Sequence, residues 1–520
     1  MATTIVLDGN SLTLEQLAPI FAEGGHGIRV RIAPAAKQRV QRSRAVVERA
    51  IASGQPIYGI TTGFGKLKNQ FIPEQDLAEL QKNLILSHCC GVGDYMDTEE
   101  VTCAQVLRLN GLLRGHSGIT LSLAENLAQL INSGLRPLVP KKGSVGASGD
   151  LAPLSHMAAA YLGHGDVILF GDSSKNTGLM PAAEALRRIG MKPLELRAKE
   201  GLALINGTEI IKSIAVGLLL RAENLSKAAD ILAAHSIEAL LGSARPFDER
   251  FATLKGQPGH ARAAANVRAC LKGSKVLQSH ADCDRVQDPY SLRCVPQVHG
   301  AFKAAYAHVR EIVENELNAV TDNPIVFPDT GEVHSAGQFH GQPLSVVLDY
   351  LGLALATLAN ISERRIEQLV NPDLSRLPAF LTPKPGLNSG FMIAQVAAAA
   401  LASENKILAH PASVDTIPTS ANQEDHVSMG VTAARKACEI LENTERVLAL
   451  EWLAAAQARE FHGELKAGKG VEASQKLLRS RVSALTKDRY LADDISTAHM
   501  LLYGGELVAA VEKACGKLAG

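Results

Sequence analysis

The chain has 520 residues, and its 53 Lys and Arg balance its 53 Asp and Glu, so the formal net charge is zero at pH 7. Because charges of both signs alternate along the chain, nothing favours electrostatic capture of nucleic acid or of an anionic membrane. The N-terminus lacks a basic segment followed by an apolar core, and no apolar run reaches the ~20 residues of a membrane span. We therefore expect a soluble cytoplasmic protein.

The length accommodates three to four domains of roughly 100 to 200 residues each, or fewer around one long helical core. The eight cysteines are sparse. No C-x-x-C or H-E-x-x-H pattern groups them with histidines as a metal site would. We expect free thiols and no bound metal.

Residues 1–205 predict a smaller N-terminal domain of mixed secondary structure. A β-branched run near Val30 indicates a strand, and helical stretches follow within residues 101–133. The sequence GDVILFGD at 165–172 is typical of part of a small hairpin. Loops and modest helices dominate this domain.

The most unusual segment of this domain is GSVGASGDLAPLSH at residues 143–156, whose first seven residues include three glycines, two serines and an alanine. Such a composition is ordinarily that of a flexible surface loop. Two features argue against that interpretation. Asp150 is a good helix N-cap with Pro153 tolerated in the first turn, and apolar elements surround the segment. The sequence therefore predicts a turn that is held in place.

A compressed Ala-Ser-Gly turn can undergo an unusual reaction. The amide nitrogen of Gly149 can attack the carbonyl carbon of Ala147 if the turn brings them together. Loss of water from that adduct and from the Ser148 side chain leaves a five-membered ring with an exocyclic methylene. The product is an electrophile made from the backbone.

Residues 206–520 predict a second domain of long helices. The segment 344–370 is apolar nearly all round in its first half, which is typical of a helix buried on every side in a bundle. The fold class is thus mainly α, with a long central helical bundle and a smaller mixed domain that carries the 143–156 turn. The alanine- and leucine-rich helical segments are 211–241, 299–320, 344–370, 391–410 and 431–460.

Residues 272–297 differ from the helices around them, because they are polar and lack sustained periodicity. A long irregular segment in a helical protein is usually functional or disordered. The cluster of Gln287, Tyr290 and Arg293 favours function, since it combines an amide, a phenol and a fixed cation.

The turn and many other blocks resemble the aromatic amino acid ammonia-lyases, a family whose Ala-Ser-Gly triad forms the 4-methylideneimidazol-5-one (MIO) group. The resemblance covers nearly the whole chain. Its blocks, in order, are YGITTGFG, NLILSHCCGVG, GASGDLAPLSH, ALINGT, QDPYSLRCVPQVHG, NAVTDNPIV, GQFHGQP, GLNSGFM and TSANQEDHVSMG.

The resemblance implies an enzyme whose electrophile is MIO, formed from Ala147, Ser148 and Gly149, with no external cofactor. It also implies a mainly helical homotetramer in which each active site draws residues from three subunits. The resemblance further implies that the substrate amine adds to the carbon derived from Ser148 and that Tyr58, as a phenolate, takes the β-proton. Arg293 binds the substrate carboxylate, while Asn206 and Gln287 orient MIO and the amine. Tyr290 assists proton handling, and Phe339 forms a wall of the pocket.

Within the family, the pocket resembles that of the histidine-specific members. His88, after Ser87, and Glu424 occupy positions that select the substrate ring, and together they can hydrogen-bond both sides of an imidazole. A phenyl ring would leave each of these buried groups unpaired, at about 1 to 3 kcal/mol per group. The expected reaction is elimination of ammonia from L-histidine to give trans-urocanate. Two departures from the family pattern lie near the pocket, Gln338 where Asn is frequent and Cys89-Cys90 where alanines are frequent.

Two alternatives stay open. The chain could be a tyrosine or phenylalanine ammonia-lyase, or a 2,3-aminomutase, that uses the same electrophile. It could also be a helical scaffold descended from such enzymes, with the triad unprocessed. Taken singly, Tyr58, Tyr290 and Phe339 could be packing aromatics, His88 a structural histidine, Arg293 an ion-pair partner and Glu424 a helix cap.

Overall fold

The structure is a computed structural model that describes residues 3–170, 178–282 and 285–520. The described residues are mainly α-helical. In chain order the α-helices are α1 (Leu14–Ala22), α2 (Pro34–Ala52), α3 (Leu77–His88), α4 (Thr98–Leu112), α5 (Leu121–Asn132), α6 (Leu151–Tyr161), α7 (Ala182–Arg188), α8 (Glu200–Ile205), α9 (Glu209–Ala239), α10 (Glu249–Lys255), α11 (Pro258–Leu271), α12 (Lys275–Gln278), α13 (Tyr290–Arg293), α14 (Val295–Leu317), α15 (Gln342–Val370), α16 (Pro372–Ser375), α17 (Met392–Leu408), α18 (Gly430–Glu460), α19 (Lys469–Arg479), α20 (Leu491–Tyr503) and α21 (Glu506–Cys515).

The long helices confirm the predicted fold class. Each of the five predicted segments is a helix whose ends differ from the prediction by a few residues, namely α9, α14, α15, α17 and α18. Alanine and leucine favour these helices because they lose little side-chain entropy in a helical turn. In α18, Leu441, Thr444, Leu448 and Trp452 are all fully buried, so the predicted helical spacing does form an internal face.

Within the described ranges the strands are short and form four small sheets. β1 and β2 pair in parallel from Thr3 opposite Ile28, and β2 contains the β-branched run predicted near Val30. β6 pairs antiparallel with β4 and β7, which confirms a hairpin at the predicted place, although residues 171 and 172 lie outside the described residues. The strands are β1 (Thr3–Leu7), β2 (Ile28–Ile32), β3 (Val92–Tyr95), β4 (Leu135–Pro137), β5 (Pro140–Lys142), β6 (Asp166–Leu169), β7 (Gly178–Pro181), β8 (Ile325–Phe327) and β9 (Glu332–His334).

The chain divides into two compact units, each made of three separate segments. Unit 1 comprises Met1–Gly217, Arg310–Leu348 and Pro411–Arg435. Unit 2 comprises Leu218–Val309, Asp349–His410 and Lys436–Gly520. Every strand belongs to unit 1 by sequence. The boundary predicted between residues 205 and 206 divides the chain sequentially and stays a prediction.

The helix α15 differs from the expectation that no apolar run is long enough to span a membrane. Among the described residues it is the one helix that is long and apolar enough to cross a membrane, with a mean hydropathy of 1.7 in its most apolar stretch. However, 67% of that stretch is buried inside the protein. Packing therefore accounts for the composition of α15, as in the core helix of a globular protein.

In the described part of the segment predicted to be irregular, 272–297, the only helices before α14 begins at Val295 are the one-turn helices α12 and α13. Cys283, one of the eight cysteines, lies outside the described residues. None of the other seven forms a disulfide.

Candidate active site

The turn of Ala147, Ser148 and Gly149 lies between β5 and α6 in unit 1. Gly149 has a φ of +74°, and a Cβ atom there would lie 2.1 Å from the Gly207 carbonyl oxygen. The same oxygen accepts a 2.7 Å hydrogen bond from the Asp150 amide. Any other L-residue would combine an unfavourable φ with a backbone clash, so this position requires glycine.

Polar contacts hold the turn, as the sequence predicts. The Ser144 hydroxyl donates to the Gly149 carbonyl at 3.3 Å and accepts from the Gly146 amide at 3.2 Å. The buried Asn206 donates through Nδ2 to the Ser148 carbonyl at 3.3 Å. Within the described part of the chain its Oδ1 has no hydrogen-bond partner. A buried acceptor next to the turn is therefore unused.

The loop that carries Glu424 contacts the turn directly. The Ser148 hydroxyl donates a 2.9 Å hydrogen bond to Glu424 Oε1 across a sequence separation of 276 residues. Ala147 is buried in a small apolar cluster with Val427 and Met429. One loop of unit 1 thus supplies both the apolar support of the turn and a carboxylate for its hydroxyl.

The position of Glu424 is tightly determined. The Thr419 hydroxyl donates to Glu424 Oε2 at 2.8 Å, and the backbones of the two residues exchange hydrogen bonds of 2.9 and 3.3 Å. Between them, Ser420, Ala421 and Asn422 have φ values of +50°, +52° and +65°. Three consecutive left-handed non-glycine residues cost roughly 1–2 kcal/mol each. Such strain is found where a side chain must be held for function.

Tyr58 lies in the same unit and is half-buried. Burial raises the pKa of its phenol, and the Glu424 carboxylate raises this pKa further. The Gly65 amide, which donates to Tyr58 Oη at 3.5 Å, acts in the opposite direction. Burial and the Glu424 charge thus disfavour a phenolate at this position, whereas the Gly65 amide favours it.

His88 ends α3 and is also half-buried. Burial lowers its pKa below the usual 6.5, although the Leu84 backbone and the Glu424 carboxylate pull the pKa upward. The Ser87 hydroxyl lies 3.1 Å from His88 Nδ1. His88 is therefore a neutral imidazole at neutral pH, with one ring nitrogen paired to its neighbour.

Asp150 differs from its predicted role as the cap of the helix that follows it. It occupies the N-cap position of α6, but its side chain makes no capping bond there. Instead Oδ2 accepts from the amides of Ile210 and Ile211 at 2.9 and 3.0 Å, which satisfies two free donors in the first turn of α9. Burial raises the pKa of Asp150 to about 8. The predicted N-cap position is therefore confirmed, whereas the side chain caps α9 because the amides of that helix reach it from another part of the chain.

Phe339 approaches the turn through its backbone. Its carbonyl oxygen lies 3.1 Å from where a Cβ on Gly149 would be, and the residue is half-buried. The preceding Gln338, a departure from the family pattern, is exposed.

Gln287, Tyr290 and Arg293 form a separate group in unit 2. The Arg293 guanidinium lies over the Tyr290 ring, with 4.4 Å between its central carbon and the ring centroid. Gln287, with its amide oxygen facing the guanidinium, accepts from both terminal nitrogens of Arg293 at 3.2 Å. Arg293 Nε donates to the Asp288 carbonyl at 3.0 Å. The predicted cation thus has a fixed orientation.

Gln287 and Arg293 line an open cavity of about 950 Å³ within unit 2. Tyr290 is 70% exposed, so its phenol is available to another molecule. The cavity lining includes Phe251, Leu254, His260, Arg285, Gln287 and Arg293.

Sequence reasoning missed several residues that support the turn. The Thr419 contact with Glu424 and the Ser144 bridge both involve residues inside or next to matched blocks, but their partners are set by the folded loop. Among the described residues, no group of three or more His, Cys, Asp or Glu side chains could hold a metal ion.

Comparison with known proteins gives consistent results. A profile of the family described as "Aromatic amino acid lyase" matches residues 12–480. The chain is 50% identical over 507 residues to the histidine ammonia-lyase of Anaeromyxobacter dehalogenans (strain 2CP-C), covering 97% of this chain and 99% of that protein.

Two solved structures are also similar over nearly their full length. Histidine ammonia-lyase from Trypanosoma cruzi matches with a TM-score of 0.90 and 41% identity, covering 98% of this chain and 95% of that one. Tyrosine aminomutase from Streptomyces globisporus matches with a TM-score of 0.92 and 36% identity, covering 99% and 100%.

Proposed function

The chain belongs to the aromatic amino acid lyase family and is a carbon–nitrogen lyase, and on that premise we propose that it eliminates ammonia from L-histidine to give trans-urocanate. One observation supports this most strongly. Glu424, the proposed ring-binding carboxylate, is hydrogen-bonded to Ser148. Its charge adds to the effect of burial, which raises the pKa of Tyr58, and partly offsets burial at His88, which lowers the pKa of that imidazole. These interactions support a single site in unit 1 for the proposed electrophile, base and ring-binding groups.

The turn fits the formation of MIO from Ala147, Ser148 and Gly149. Gly149 has no Cβ to block close approach, Asn206 donates to the Ser148 carbonyl that would become part of the ring, and a buried Asn206 oxygen is unpaired among the described residues. When present, the group supplies an electrophile that makes the substrate amine a better leaving group. No external cofactor is then required.

The remaining residues bind the substrate and move its protons. Tyr58 acts as a phenolate that the Gly65 amide stabilises, and it becomes a neutral phenol when its Oη takes the β-proton. His88, neutral at pH 7, and Glu424 hydrogen-bond the two sides of the imidazole. Phe339 walls the pocket next to Gly149.

Arg293 binds the substrate carboxylate through charge-assisted hydrogen bonds, Gln287 orients the amine, and Tyr290 assists proton handling. These three residues belong to unit 2, and we propose that a neighbouring subunit of a homotetramer supplies them. The exposure of Tyr290 and the open cavity support a role for this group at a contact with another molecule. We also propose that the enzyme works in the cytoplasm.

A second candidate function is that of a tyrosine or phenylalanine lyase or aminomutase of the same family. The similarity to tyrosine aminomutase, with a TM-score of 0.92, favours it. His88 and Glu424 argue against it, because a phenyl ring would leave both side chains without partners.

Replacement of Ser148 tests the proposal. Ser148→Ala removes the carbon that becomes the methylidene, so urocanate formation from L-histidine, followed by ultraviolet absorbance, should fall to background while the circular dichroism spectrum is unchanged. Ser155→Ala is the matched control, because the Ser155 hydroxyl bonds only to the Leu151 carbonyl of its own helix among the described residues. Appreciable turnover by Ser148→Ala would exclude the mechanism.

A further inference from the structure

Glu424 contacts the hydroxyl group that Ser148 loses when the triad reacts. This hydroxyl donates to Glu424 Oε1 at 2.9 Å. Dehydration of Ser148 would remove this same oxygen atom. The Glu424 carboxylate therefore contacts the oxygen atom that leaves when the triad matures into MIO. It also lies in the site proposed to bind the substrate afterwards.

We infer that Glu424 is a catalytic residue of triad maturation, in which it delivers the proton that Ser148 Oγ needs to leave as water. The inference rests on the proposed function, since it concerns the formation of the same MIO group. It adds a role for Glu424 that precedes substrate binding.

Maturation releases two molecules of water. In the first step the Gly149 nitrogen bonds to the Ala147 carbonyl carbon, and the Ala147 oxygen leaves as water with the protons of the Gly149 and Ser148 amides. In the second step the Cα–H bond of Ser148 breaks, and its electron pair forms the Cα=Cβ double bond. The Cβ–Oγ bond then breaks with its pair on oxygen, and the hydroxide takes up one proton and leaves as water.

The second step needs an acid at Oγ, because hydroxide is a poor leaving group. Because Glu424 Oε1 accepts a hydrogen bond from Ser148 Oγ, Glu424 begins the step as a carboxylate. It takes up the proton released from Cα and delivers it to Oγ as the Cβ–Oγ bond breaks, so it ends the step as a carboxylate again. General acid catalysis by a positioned side chain contributes typically 10²- to 10⁴-fold.

The structure fixes one carboxylate oxygen and leaves the other for Ser148. Thr419 donates to Oε2 at 2.8 Å, and the left-handed residues 420–422 hold the loop between Thr419 and Glu424. Among the described residues, the Ser148 hydroxyl is therefore the only hydrogen-bond donor to Oε1. Once Oγ has left as water, Oε1 has lost its donor and is available to the ring N–H of a substrate.

The test measures the mass of the full-length chain at intervals after cell-free synthesis. Wild-type chains should become lighter by two waters. Glu424→Gln should slow loss of the second water by about 10²- to 10⁴-fold, so that chains lacking one water accumulate. Asp425→Asn is the matched control, because it makes the same chemical change at the next, exposed residue, and it should mature like the wild type.

Equal loss of both waters by Glu424→Gln and Asp425→Asn would overturn the inference and leave the proposed function intact. Wild-type chains that keep their encoded mass would instead overturn the proposed function itself. If Glu424→Gln fails to fold by circular dichroism, Thr419→Val carries the test, because it removes only the hydroxyl that orients Oε2. Thr419→Val should also accumulate chains lacking one water, and maturation at the wild-type rate would overturn the inference.

Discussion

Single residues around Ser148 are linked through Glu424. Its carboxylate accepts hydrogen bonds from Ser148 and Thr419. Its charge also acts on Tyr58, whose pKa burial raises, and on His88, whose pKa burial lowers. The sequence predicted a shared role for Ser148, Tyr58, His88 and Glu424, because each lies in a block of the family pattern. It could not predict Thr419 as the residue that fixes Glu424, because that hydrogen bond depends on the left-handed backbone between them.

His88 provides the sharpest test of substrate selection by a single residue. His88→Leu removes a hydrogen-bonding partner of the substrate imidazole, so we expect the barrier for L-histidine to rise by about 1–3 kcal/mol. Turnover of L-phenylalanine should change little or increase. The measurement is kcat/KM for both amino acids, normalised to chains that have lost two waters.

The control for this variant is His164→Leu, which makes the same change at an exposed histidine after α6 and should leave both kcat/KM values unchanged. Losses of equal size for histidine and phenylalanine in His88→Leu would mean that His88 does not contact the ring.

At the scale of secondary-structure elements, the helices were predictable and their connections were not. Runs of alanine and leucine predict α9, α14, α15, α17 and α18 directly, because helix propensity and periodicity are local properties. Asp150 occupies the predicted N-cap position of α6, but its carboxyl group bonds to the start of α9, about 60 residues away in sequence. A local capping rule cannot identify a partner that only the tertiary fold supplies.

The link between Asp150 and α9 predicts a stability effect. Asp150→Ala leaves the amides of Ile210 and Ile211 without their acceptor, and each buried unpaired donor costs about 1–3 kcal/mol. Asp150→Asn keeps an oxygen acceptor and should be much less destabilised. The free energy of unfolding from urea titration at pH 7 distinguishes the two, and equal destabilisation would mean that the carboxylate oxygen is not the capping group.

The same residue gives a pH dependence with a defined sign. Its pKa is raised from 3.8 in the unfolded chain to about 8 in the folded one, so the folded state binds this proton more tightly. The contribution of this bound proton to the free energy of unfolding is therefore fully present below about pH 4 and is lost as the pH rises through about 8. The wild type should lose stability relative to Asp150→Asn over this range, since asparagine does not ionise.

At the scale of the whole molecule, the candidate residues fall into two groups. The Ser148 group belongs to unit 1, and Gln287, Tyr290 and Arg293 belong to unit 2. The mainly helical class was predictable from composition. The discontinuous units were not, because they depend on contacts between segments separated by hundreds of residues, such as those that bring Glu424 to Ser148.

The proposed homotetramer predicts complementation between inactive variants. Ser148→Ala and Arg293→Ala should each be inactive alone. When the two variants are co-expressed, a site can combine an intact Ser148 from one subunit with an intact Arg293 from its neighbour, so activity should return. We expect about a quarter of wild-type activity, since each residue is intact in half of the subunits of a randomly mixed oligomer. Sedimentation should give a tetramer, and a monomer or an inactive mixture would contradict shared sites.

The most direct test of the central claim is a side-by-side ultraviolet assay of the purified wild-type protein with L-histidine, L-tyrosine and L-phenylalanine. Each elimination would give a different conjugated acrylate. Our account predicts urocanate from histidine and at most trace products from the other two amino acids. Coumarate or cinnamate as the main product would contradict the assignment of His88 and Glu424 to the ring, and no product from any of the three would contradict the proposed activity.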